Sequence, residues 1–398
     1  MKVKINRKCN RFLYIALCSV LWIASSSCTD DNQEKPSTFI KTYGGISIDT
    51  GYCVRQTNDE GYIMCGFTFS FNNAGHYDYY LIKTDKYGQE EWFNTFGGDT
   101  GDAAYSVQQT HDGGYIMCGF TLFYGIDDSD IFVIKTNDLG EEQWSKTYGS
   151  SYFDFGRDIL ITSDGGYIIC GDQQITYTDT DVLLMKIDES GNEQWSQSYG
   201  GNLQDTGWSV HQTSDGGYII CGSISSTYYN KDVYLIKTDA DGNEQWSRSY
   251  GNLNYIEWGK SVIQTSDNGY LIVGYHVDLE RAWYGYLIKT DDQGNKVWSK
   301  IFQDFTYSVF NSMSETDDLS TIVCGAADSD IRILKIDPQG NILWSKIYGE
   351  DDLDSGYSIQ QTHDGGFAIC GVTGSFWGEL RDVLLIKTDR NGVINQDE

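Results

Sequence analysis

Short runs of apolar and aromatic residues, bounded by Gly, Asp and Asn, recur along most of the chain. In one unit, the segment 105–110 (YSVQQT) is followed by a tight Asp-Gly-Gly turn and the apolar segment 115–119. Segments like 232–238 (DVYLIKT) and 245–250, joined by an Asp-x-x-Gly turn, complete the unit. Glycine tolerates the positive φ that hairpin turns need, so the pattern predicts four consecutive strands. The third strand lacks alternation, which indicates that both of its faces are buried.

This four-strand pattern occurs seven times in the sequence. The string DGGYIMCG at 112–119 recurs in close variants, and a degraded copy, DLSTIVCG, lies at 318–325. A second string, D-x-x-L-I-K-T-D-x-x-G-x-x-x-W, follows each copy, but the seventh stops before its Trp. The equivalent glycines, which number the repeats one to seven, are Gly66, Gly119, Gly171, Gly222, Gly274, Gly325 and Gly371.

A repeat of roughly 50 residues with four strands predicts a blade of a β-propeller. Residues 38–45 (TFIKTYGG) match the last strand of a repeat (WSKTYG at 144–149), with Phe39 at the Trp position. We expect this segment to supply the missing strand of repeat seven and to remove an exposed sheet edge. The predicted fold is an all-β, seven-bladed β-propeller of four-stranded blades over residues 38–398, closed by the N-terminal strand completing the last blade.

The first 27 residues predict a secretory signal peptide. A basic segment over residues 2–11 precedes an apolar run over 12–24, which is short for a transmembrane helix. The small residues 25–27 then lead into Cys28, and residues 29–37 (TDDNQEKPS) predict a polar tether. Residues 1–27 are therefore assigned to the signal peptide and residues 28–37 to Cys28 and the tether.

Small residues directly before Cys28 resemble the lipobox of bacterial lipoproteins, although Ser25 stands where that family has an aliphatic residue. The resemblance implies cleavage before Cys28, lipid modification of Cys28 and anchoring in the bacterial outer membrane. The segment Thr29-Asp30-Asp31 resembles the acidic export signal of surface lipoproteins in Bacteroidota-type bacteria, which implies exposure at the cell surface. Ordinary secretion with a free Cys28 is the alternative.

The Asp-Gly-Gly-Tyr repeats over residues 38–398 resemble those of bacterial secreted and surface lipoprotein β-propellers. The K-x-D-x-x-G-x-x-x-W string is similar to the docking-Trp motif of quinoprotein propellers. The resemblance implies a quinoprotein-like propeller fold. Quinoprotein dehydrogenases have eight blades and an adjacent Cys-Cys pair, whereas this chain has seven repeats and no such pair. The resemblance therefore does not extend to their enzymatic activity.

The charge of the chain bears on its partners. It contains 57 Asp and Glu residues against 28 Lys and Arg residues, a formal net charge of −29. Such a chain repels phosphate backbones, so nucleic-acid binding is not expected. An acidic chain attracts cations, and its carboxylates are therefore candidates for a cation site.

The cysteines predict structural rather than chemical roles. Cys53 stands where most other repeats have Ser, and we expect it on the opposite hairpin face from Cys65. The chain has no C-x-x-C, H-E-x-x-H, P-loop or G-x-S-x-G motif, so the sequence nominates no catalytic residue and no cofactor. One small apolar slot of the repeat, which repeat five fills with Val273, is occupied elsewhere by Cys65, Cys118, Cys170, Cys221, Cys324 and Cys370.

One acidic position recurs before the first strand of every repeat. Because first strands line the channel of a propeller, we expect these acids near one channel mouth. Their carboxylates either accept backbone N–H groups in a repeated turn or hold a cation, with Ca²⁺ as the candidate ion. These acids are Asp49, Asp102, Asp154, Asp205, Glu257, Asp304 and Asp354.

A second acidic position opens the third strand of most repeats, and we expect it to be structural and to pair with the lysine of the Ile-Lys-Thr segment. It is occupied by Asp78, Asp130, Asp181, Asp232, Asp330 and Asp382.

The loops between second and third strands vary most among the repeats, which favours them as the binding face. Exposed aromatic and charged side chains suit stacking on sugar rings or anchoring of a protein partner. Packing of these rings against one another is the alternative. The candidate residues are Phe123, Tyr124, Tyr228, Tyr229, His276, Arg281, Trp283, Phe376, Trp377 and Arg381.

Together these features predict a monomeric, non-catalytic cell-surface lipoprotein, anchored to the membrane by its lipid. Its propeller would present a binding face for a polysaccharide or an envelope protein. The alternative function is a glycan-active enzyme, a glycoside hydrolase or a lyase, in which two channel-mouth carboxylates act as acid and base. A purely structural role in an envelope complex is the third possibility.

Overall fold

The fold is described from a computed structural model of the chain. The described residues are 38–71, 75–122, 128–227, 230–252, 255–349, 353–374 and 381–394, together with a two-residue strand at 2–3. All regular elements in these ranges are β-strands, and none of the ranges contains a helix that could cross a membrane. Cys28 and the tether 29–37 lie outside the described residues.

The predicted four-strand pattern is present in each repeat. The first strands are β3 (Asp49–Gln56), β7 (Asp102–Gln109), β11 (Asp154–Ile161), β15 (Thr206–Gln212), β19 (Ile256–Gln264), β23 (Ser308–Glu315) and β27 (Ser355–Gln361). The second strands are β4 (Tyr62–Thr68), β8 (Tyr115–Leu122), β12 (Tyr167–Thr176), β16 (Tyr218–Thr227), β20 (Tyr270–Val277), β24 (Thr321–Ala327) and β28 (Phe367–Gly374).

The third and fourth strands follow in the same order. The third strands are β5 (Asp78–Thr84), β9 (Ser129–Thr136), β13 (Asp179–Ile187), β17 (Asn230–Thr238), β21 (Trp283–Thr290), β25 (Asp330–Ile336) and β29 (Arg381–Thr388). The fourth strands are β6 (Glu90–Phe96), β10 (Glu142–Tyr148), β14 (Glu193–Tyr199), β18 (Glu244–Tyr250), β22 (Lys296–Phe302) and β26 (Ile342–Tyr348).

Consecutive strands of a repeat pair antiparallel, so each repeat is a four-stranded sheet with the first and fourth strands at its edges. A single parallel pair, Lys231 with Ile256, links the sheets of repeats four and five. The short strand β1 (Lys2–Val3) lies parallel to β26. In repeat seven the fourth position is taken by β2 (Phe39–Tyr43), which pairs antiparallel with β29 and places Ile40 opposite Ile386.

The hydrophobic core lies between the sheets. One cluster joins repeats two and three through residues such as Cys118 and Ile169, and comparable clusters join each of the other consecutive pairs. A further cluster joins repeat seven to repeat one through Cys370, Met64 and Phe39. The six repeat cysteines are buried and free in these clusters, with Val273 as their equivalent, which confirms the apolar slot.

A second contact between repeats involves the Trp and Tyr of the fourth strand. Trp144 lies against Gly191, in the turn before the fourth strand of the next repeat, and Tyr148 donates a 2.6 Å hydrogen bond to the carbonyl oxygen of Gly191. Gly191 has a φ of 74°, and a Cβ at this position would lie 2.9 Å from the indole of Trp144. Glycine is therefore required both by the backbone conformation and by the close approach.

Strand β2 makes the same contact with repeat one. Phe39 is buried against Gly88, and Tyr43 donates a 2.9 Å hydrogen bond to the carbonyl oxygen of Gly88. Phe39 also meets Tyr62 edge to face, with 6.0 Å between ring centroids. β2 thus pairs with repeat seven and packs on repeat one.

The repeated lysine pairs with the Asp-Gly-Gly turn and not, as the sequence suggested, with the acid that opens the third strand. Lys135 contacts Asp112 at 2.8 Å and donates to the carbonyl oxygen of Thr136 at 2.9 Å. All seven repeats form this pair. The hairpin places the turn carboxylate beside the buried ammonium, whereas the third-strand acid lies at the other end of the same strand.

Substitution Phe39→Ala tests the role of β2. Loss of a buried ring at the contact between repeats should lower the free energy of unfolding by about 3–5 kcal/mol, seen as a lower urea midpoint. Phe39→Trp restores the residue found in other repeats and should change the free energy of unfolding by less than about 1.5 kcal/mol. Leu343→Ala, at a side chain 53% exposed on an outer strand, is the control. An unchanged midpoint for Phe39→Ala would contradict the assignment.

Candidate functional site

A β-bulge in every first strand shapes the interior wall. In repeat three, Gly156 pairs with Gly171 and Asp158 pairs with Cys170, so Arg157 has no partner in the ladder. The same shift occurs in the other six first strands. A bulge redirects side chains locally, and here two consecutive residues of each first strand line one cavity of about 650 Å³.

The residues without a ladder partner form a set around the cavity that we call the bulge ring. All of its members are partly exposed to the cavity, and their types differ between repeats. The bulge ring consists of Tyr52, Tyr105, Arg157, Trp208, Lys260, Asn311 and Tyr357. Since most repeat positions are uniform, this difference in chemistry marks the wall as the candidate functional site.

One half of the bulge ring is made of tyrosines. Tyr52 lies between Tyr357 and Tyr105, with ring centroids 5.2 Å and 5.0 Å away. The buried Phe120 stacks on Tyr105 at 5.8 Å and supports its ring from behind the wall. Partly exposed aromatic rings on the wall of a cavity can stack against the apolar face of a sugar.

The other half carries cations held on indole rings. The guanidinium carbon of Arg157 lies 4.5 Å from the ring centroid of Trp208, and the ammonium nitrogen of Lys260 lies 3.0 Å from it. Arg157 also donates two hydrogen bonds to Asp172, at 2.8 Å and 3.0 Å. Asp172 is buried and accepts the N–H of Gly207, so it fixes the position of Arg157.

Among the titratable groups of this wall, Lys260 and Asp158 have pKa values displaced toward neutrality. Burial and the neighbouring positive charge of Arg157 lower the pKa of Lys260 to about 7, although Asp172 and Cys221 oppose the shift. Burial raises the pKa of Asp158 to about 6, opposed by Arg55 and by the N–H of Val210. Displaced pKa values inside a cavity are typical of binding and catalytic sites, although structural networks also produce them.

The residues that follow the bulge ring connect neighbouring first strands. Ser358 accepts the N–H of Val54 at 3.3 Å, and Asp158 accepts the hydroxyl of Ser106 at 2.9 Å. Ser312 accepts the N–H of Ile359 at 3.3 Å in the same way. These contacts give this second set of wall residues a structural role.

Cys53 belongs to that second set, and its predicted orientation was wrong. The ladder places Cys53 directly opposite Cys65, because the bulge shifts the register by one residue and reverses the alternation. Both thiols are free and buried.

Apart from Asp304, the predicted acidic row lies at or directly before the start of the first strands rather than in the cavity. Asp154 accepts the N–H groups of Ser150 at 2.6 Å and Gln174 at 3.1 Å, and Asp205 accepts those of Gly201 and Ser225. These contacts favour the turn interpretation. None of the predicted acids is among the residues that line the cavity.

Asp304 was wrongly assigned to this row. The segment Tyr307-Ser308-Val309 resembles Tyr105-Ser106-Val107, but the register places Ser312 at the position of Ser106. Ser308 therefore takes the acidic position, and Asp304 instead pairs with the buried Arg332 at 2.5 Å and 2.9 Å.

The two acidic rows converge at five of the glycines that follow a fourth strand, namely Gly44, Gly97, Gly149, Gly200 and Gly349. At Gly97 an added Cβ would collide with both Asp78 and Asp102, which come from neighbouring repeats. Burial and the nearby Asp78 raise the pKa of Asp102 to about 6. In the described ranges no group of three or more His, Cys, Asp or Glu residues could hold a metal ion, and the Ca²⁺ site stays a prediction without an assigned cluster.

The predicted binding face lies partly within the described residues. Phe123, Tyr124, Tyr228, Tyr229, Phe376 and Trp377 lie outside the described residues. His276 is buried and contacts Glu257 at 3.1 Å, so it is not available as an exposed binding residue. Trp283 packs between Tyr275 and Tyr307, and Arg281 and Arg381 are exposed.

The bulge ring was missed by sequence reasoning, although a signal was present. In all seven repeats the member of the bulge ring lies 14 residues before the repeat glycine, as Arg157 does before Gly171. Comparison of repeats at that position reveals the change from Tyr to Arg, Trp and Lys. The side chain at this position faces the cavity because of the bulge, which the sequence does not reveal.

No protein-family model matches the chain. Over 191 residues it is 27% identical to the regulatory protein FlaEY of Caulobacter vibrioides, a match that covers 42% of this chain and 19% of that protein. The chain therefore matches under one fifth of that relative's length, and the relative's role does not carry over.

Solved structures are similar in fold. The polysaccharide lyase Uly1 matches with a TM-score of 0.57 and 10% identity, over 92% of this chain and 94% of that one. The WD40 domain of Neurospora crassa Pan2 matches with a TM-score of 0.51 and 11% identity, over 89% and 97%. At these identities the likeness concerns the fold alone, and it supports a β-propeller.

The carboxylates between repeats should make stability depend on pH. Burial is the largest cause that raises the pKa values of Asp102, Asp154 and Asp181 to about 6. In an unfolded chain the pKa of an aspartate is about 3.9. The folded state thus binds protons more tightly, and the free energy of unfolding should rise as pH falls from about 7 to about 4.

Below about pH 4 the trend should reverse. The turn residues Asp164 and Asp215, whose pKa values are lowered to about 2, then lose their stabilising charge. For Asp164 the largest cause of the lowered pKa is hydrogen bonding to Thr162. For Asp215 burial is the largest single effect and acts to raise the pKa, but hydrogen bonds to Thr213 and Lys237 together outweigh it. Urea unfolding across this pH range measures how the free energy of unfolding changes with pH. Asp154→Asn should flatten the part of this profile between about pH 4 and about pH 7, whereas Asn in place of the exposed Asp99 should not. Greater stability at about pH 7 than at about pH 5 would disprove the effect.

Proposed function

We propose that the repeats form a closed, seven-bladed β-propeller in which β2 completes the last blade. The support is the double contact of β2, through Ile40 with Ile386 in repeat seven and through Phe39 with Gly88 in repeat one. A single cavity lined by the first strands of all repeats fits the same arrangement. Closure of this kind leaves no exposed edge between first and last blades.

We propose that the protein binds a polysaccharide at the bulge ring. The observation that carries this proposal is the change of residue type around an otherwise repetitive cavity wall. Tyr52 and its two neighbours offer aromatic surface, and Arg157 and Lys260 offer hydrogen-bond donors. A cavity of about 650 Å³ suits a sugar unit of a longer chain, whereas a protein partner needs a broad surface of about 800 Å² on each side.

We further propose that this binding protein is a monomeric lipoprotein at the bacterial cell surface. The basis is the segment before the propeller, in which a signal-like stretch ends at Cys28 and an acidic tether follows. A lipid on Cys28 would supply the membrane partner. The exposed face of the propeller would remain free for the polysaccharide.

A glycan lyase is the second candidate function. Its support is Lys260, whose pKa of about 7 suits a proton acceptor at neutral pH. In such a reaction the base removes the proton next to a uronate carboxylate, and the electron pair left behind forms a carbon–carbon double bond as the bond to the neighbouring sugar oxygen breaks. That oxygen takes a proton from water or from the protonated base. The similar fold of a polysaccharide lyase is compatible with this chemistry. The predicted acids do not line the cavity, so hydrolysis by a pair of them at this site is less favoured.

A glycan array followed by calorimetry tests binding. Tyr52→Ala should weaken binding of a glycan hit by roughly 2 kcal/mol, or about thirtyfold, because it removes the central ring of the tyrosine half. Tyr52→Phe keeps the ring and should bind like the unchanged protein, and Leu343→Ala on an outer strand is the control. Absence of any glycan hit would refute the proposal. Release of unsaturated sugar from a hit would instead identify the lyase.

Metabolic labelling tests the anchor. In an expressing bacterium, radiolabelled palmitate should be incorporated into the protein, and Cys28→Ser should abolish the label and release the protein from the membrane fraction. The Cys18→Ser variant, changed within the predicted signal peptide, should keep both the label and its presence in the membrane fraction. Label on the Cys28→Ser variant, or none on the unchanged protein, would rule out lipidation at Cys28.

A further inference from the structure

Lys260 differs from the repeated lysines in lacking a counter-charge in direct contact. Each repeated lysine pairs with a turn aspartate, as Lys135 does with Asp112 at 2.8 Å. Among the described residues, Lys260 has no hydrogen bond and no ion pair. Its ammonium instead lies 3.0 Å from the ring centroid of Trp208 and 5.5 Å from that of Trp258. Cation–π contact offsets only part of the cost of removing an ammonium from water.

The surroundings of Lys260 keep the wall positive. Arg157 shares the same indole, but its charge is compensated by Asp172. Among the residues that line the cavity, the charged side chains are Arg55, Arg157, Lys260 and Asp158. With Asp172 included, three cations thus face two carboxylates, in a chain whose net charge is −29.

Local and long-range electrostatics therefore act in opposite directions. The excess acid of the surface is screened beyond about 8 Å at physiological ionic strength. Inside the cavity an anion would sense mainly the charges of the wall, since Coulomb interactions fall with distance. The cavity is accordingly the place where an anionic group can be bound.

We propose that the polysaccharide bound at the bulge ring is acidic, and that its anionic group lies against Lys260 and Arg157 while a sugar ring stacks on the tyrosine half. This inference rests on the proposed function and names the ligand class of the same site. A carboxylate and a sulfate offer the same charge and acceptor oxygens, and both therefore fit. Trp208 acts as a positioning residue that keeps the two cations side by side.

Binding should be coupled to protonation of Lys260. The groups around it are Arg157, which lowers its pKa, and Asp172 and Cys221, which raise it; burial is the largest cause, and the result is a pKa of about 7. An anion in contact favours the charged ammonium, so binding above about pH 7 requires uptake of a proton. Affinity should therefore fall by up to tenfold for each pH unit above about 7.

The test compares matched glycans on the purified protein. The probes are an oligogalacturonate, its methyl ester, a sulfated galactan and a neutral galactan, with affinities measured at about pH 6.5 and about pH 8.5. We expect a charged probe to bind at least about tenfold more tightly than its neutral counterpart at the lower pH. Preference for the uronate or for the sulfated chain identifies the anion.

Variants of Lys260 make the result specific. Lys260→Met should abolish the preference for the charged probe, and Lys260→Arg should keep the preference but lose the pH dependence. If Lys260→Met does not fold, the Arg variant and the pH profile still decide. Equal affinity for charged and neutral glycans, or an unchanged preference in Lys260→Met, would overturn the inference and leave the proposed function intact. Failure to bind any glycan would overturn both.

Discussion

The contact on which the structure depends is the packing of an aromatic side chain from an outer strand onto a glycine turn of the next repeat. Trp144 on Gly191 shows its requirements, since the turn needs a positive φ and has no room for a Cβ. The adjacent Tyr148 adds a hydrogen bond to the same glycine. Each sheet is thereby held by its neighbour as well as by its own ladder. Strand β2 extends this rule to the two ends of the chain, where Phe39 replaces the indole.

In each first strand, a position with a structural role directly follows a position whose residue type varies between repeats. Side chains after the bulge, such as Ser312 and Ser358, bond to the backbone of the following repeat and change little. The bulge position points into the cavity and makes no ladder pair, so Tyr, Arg, Trp, Lys and Asn are all accommodated there. Chemistry can therefore vary at the wall without loss of the contacts that hold the sheets together. This separation explains how a repetitive fold carries an asymmetric site.

The sequence was sufficient for features that depend on local pattern and repetition. It predicted the four strands of each repeat, the buried cysteine slot and the likeness of residues 38–45 to a fourth strand. The sequence was not sufficient where the outcome depended on the register between strands or on the direction of a side chain. The ladder register placed Ser308 in the acidic row instead of Asp304, and the bulge turned Cys53 toward Cys65. The partner of each repeated lysine and the burial of His276 depend on contacts between strands, which spacing along the chain does not reveal.

The direction of β2 has a consequence for how the protein would sit on a cell. β2 begins beside Gly88, at the end of the sheets that carries the Asp-x-x-Gly turns, and runs toward Gly44 near Asp49. The bulge ring lies two to four residues from the start of each first strand, at the opposite end. With a lipid on Cys28, a chain of ten residues spanning at most about 35 Å would tie the turn-bearing end to the bilayer. The mouth nearest the bulge ring would then point outward, toward material arriving from the medium.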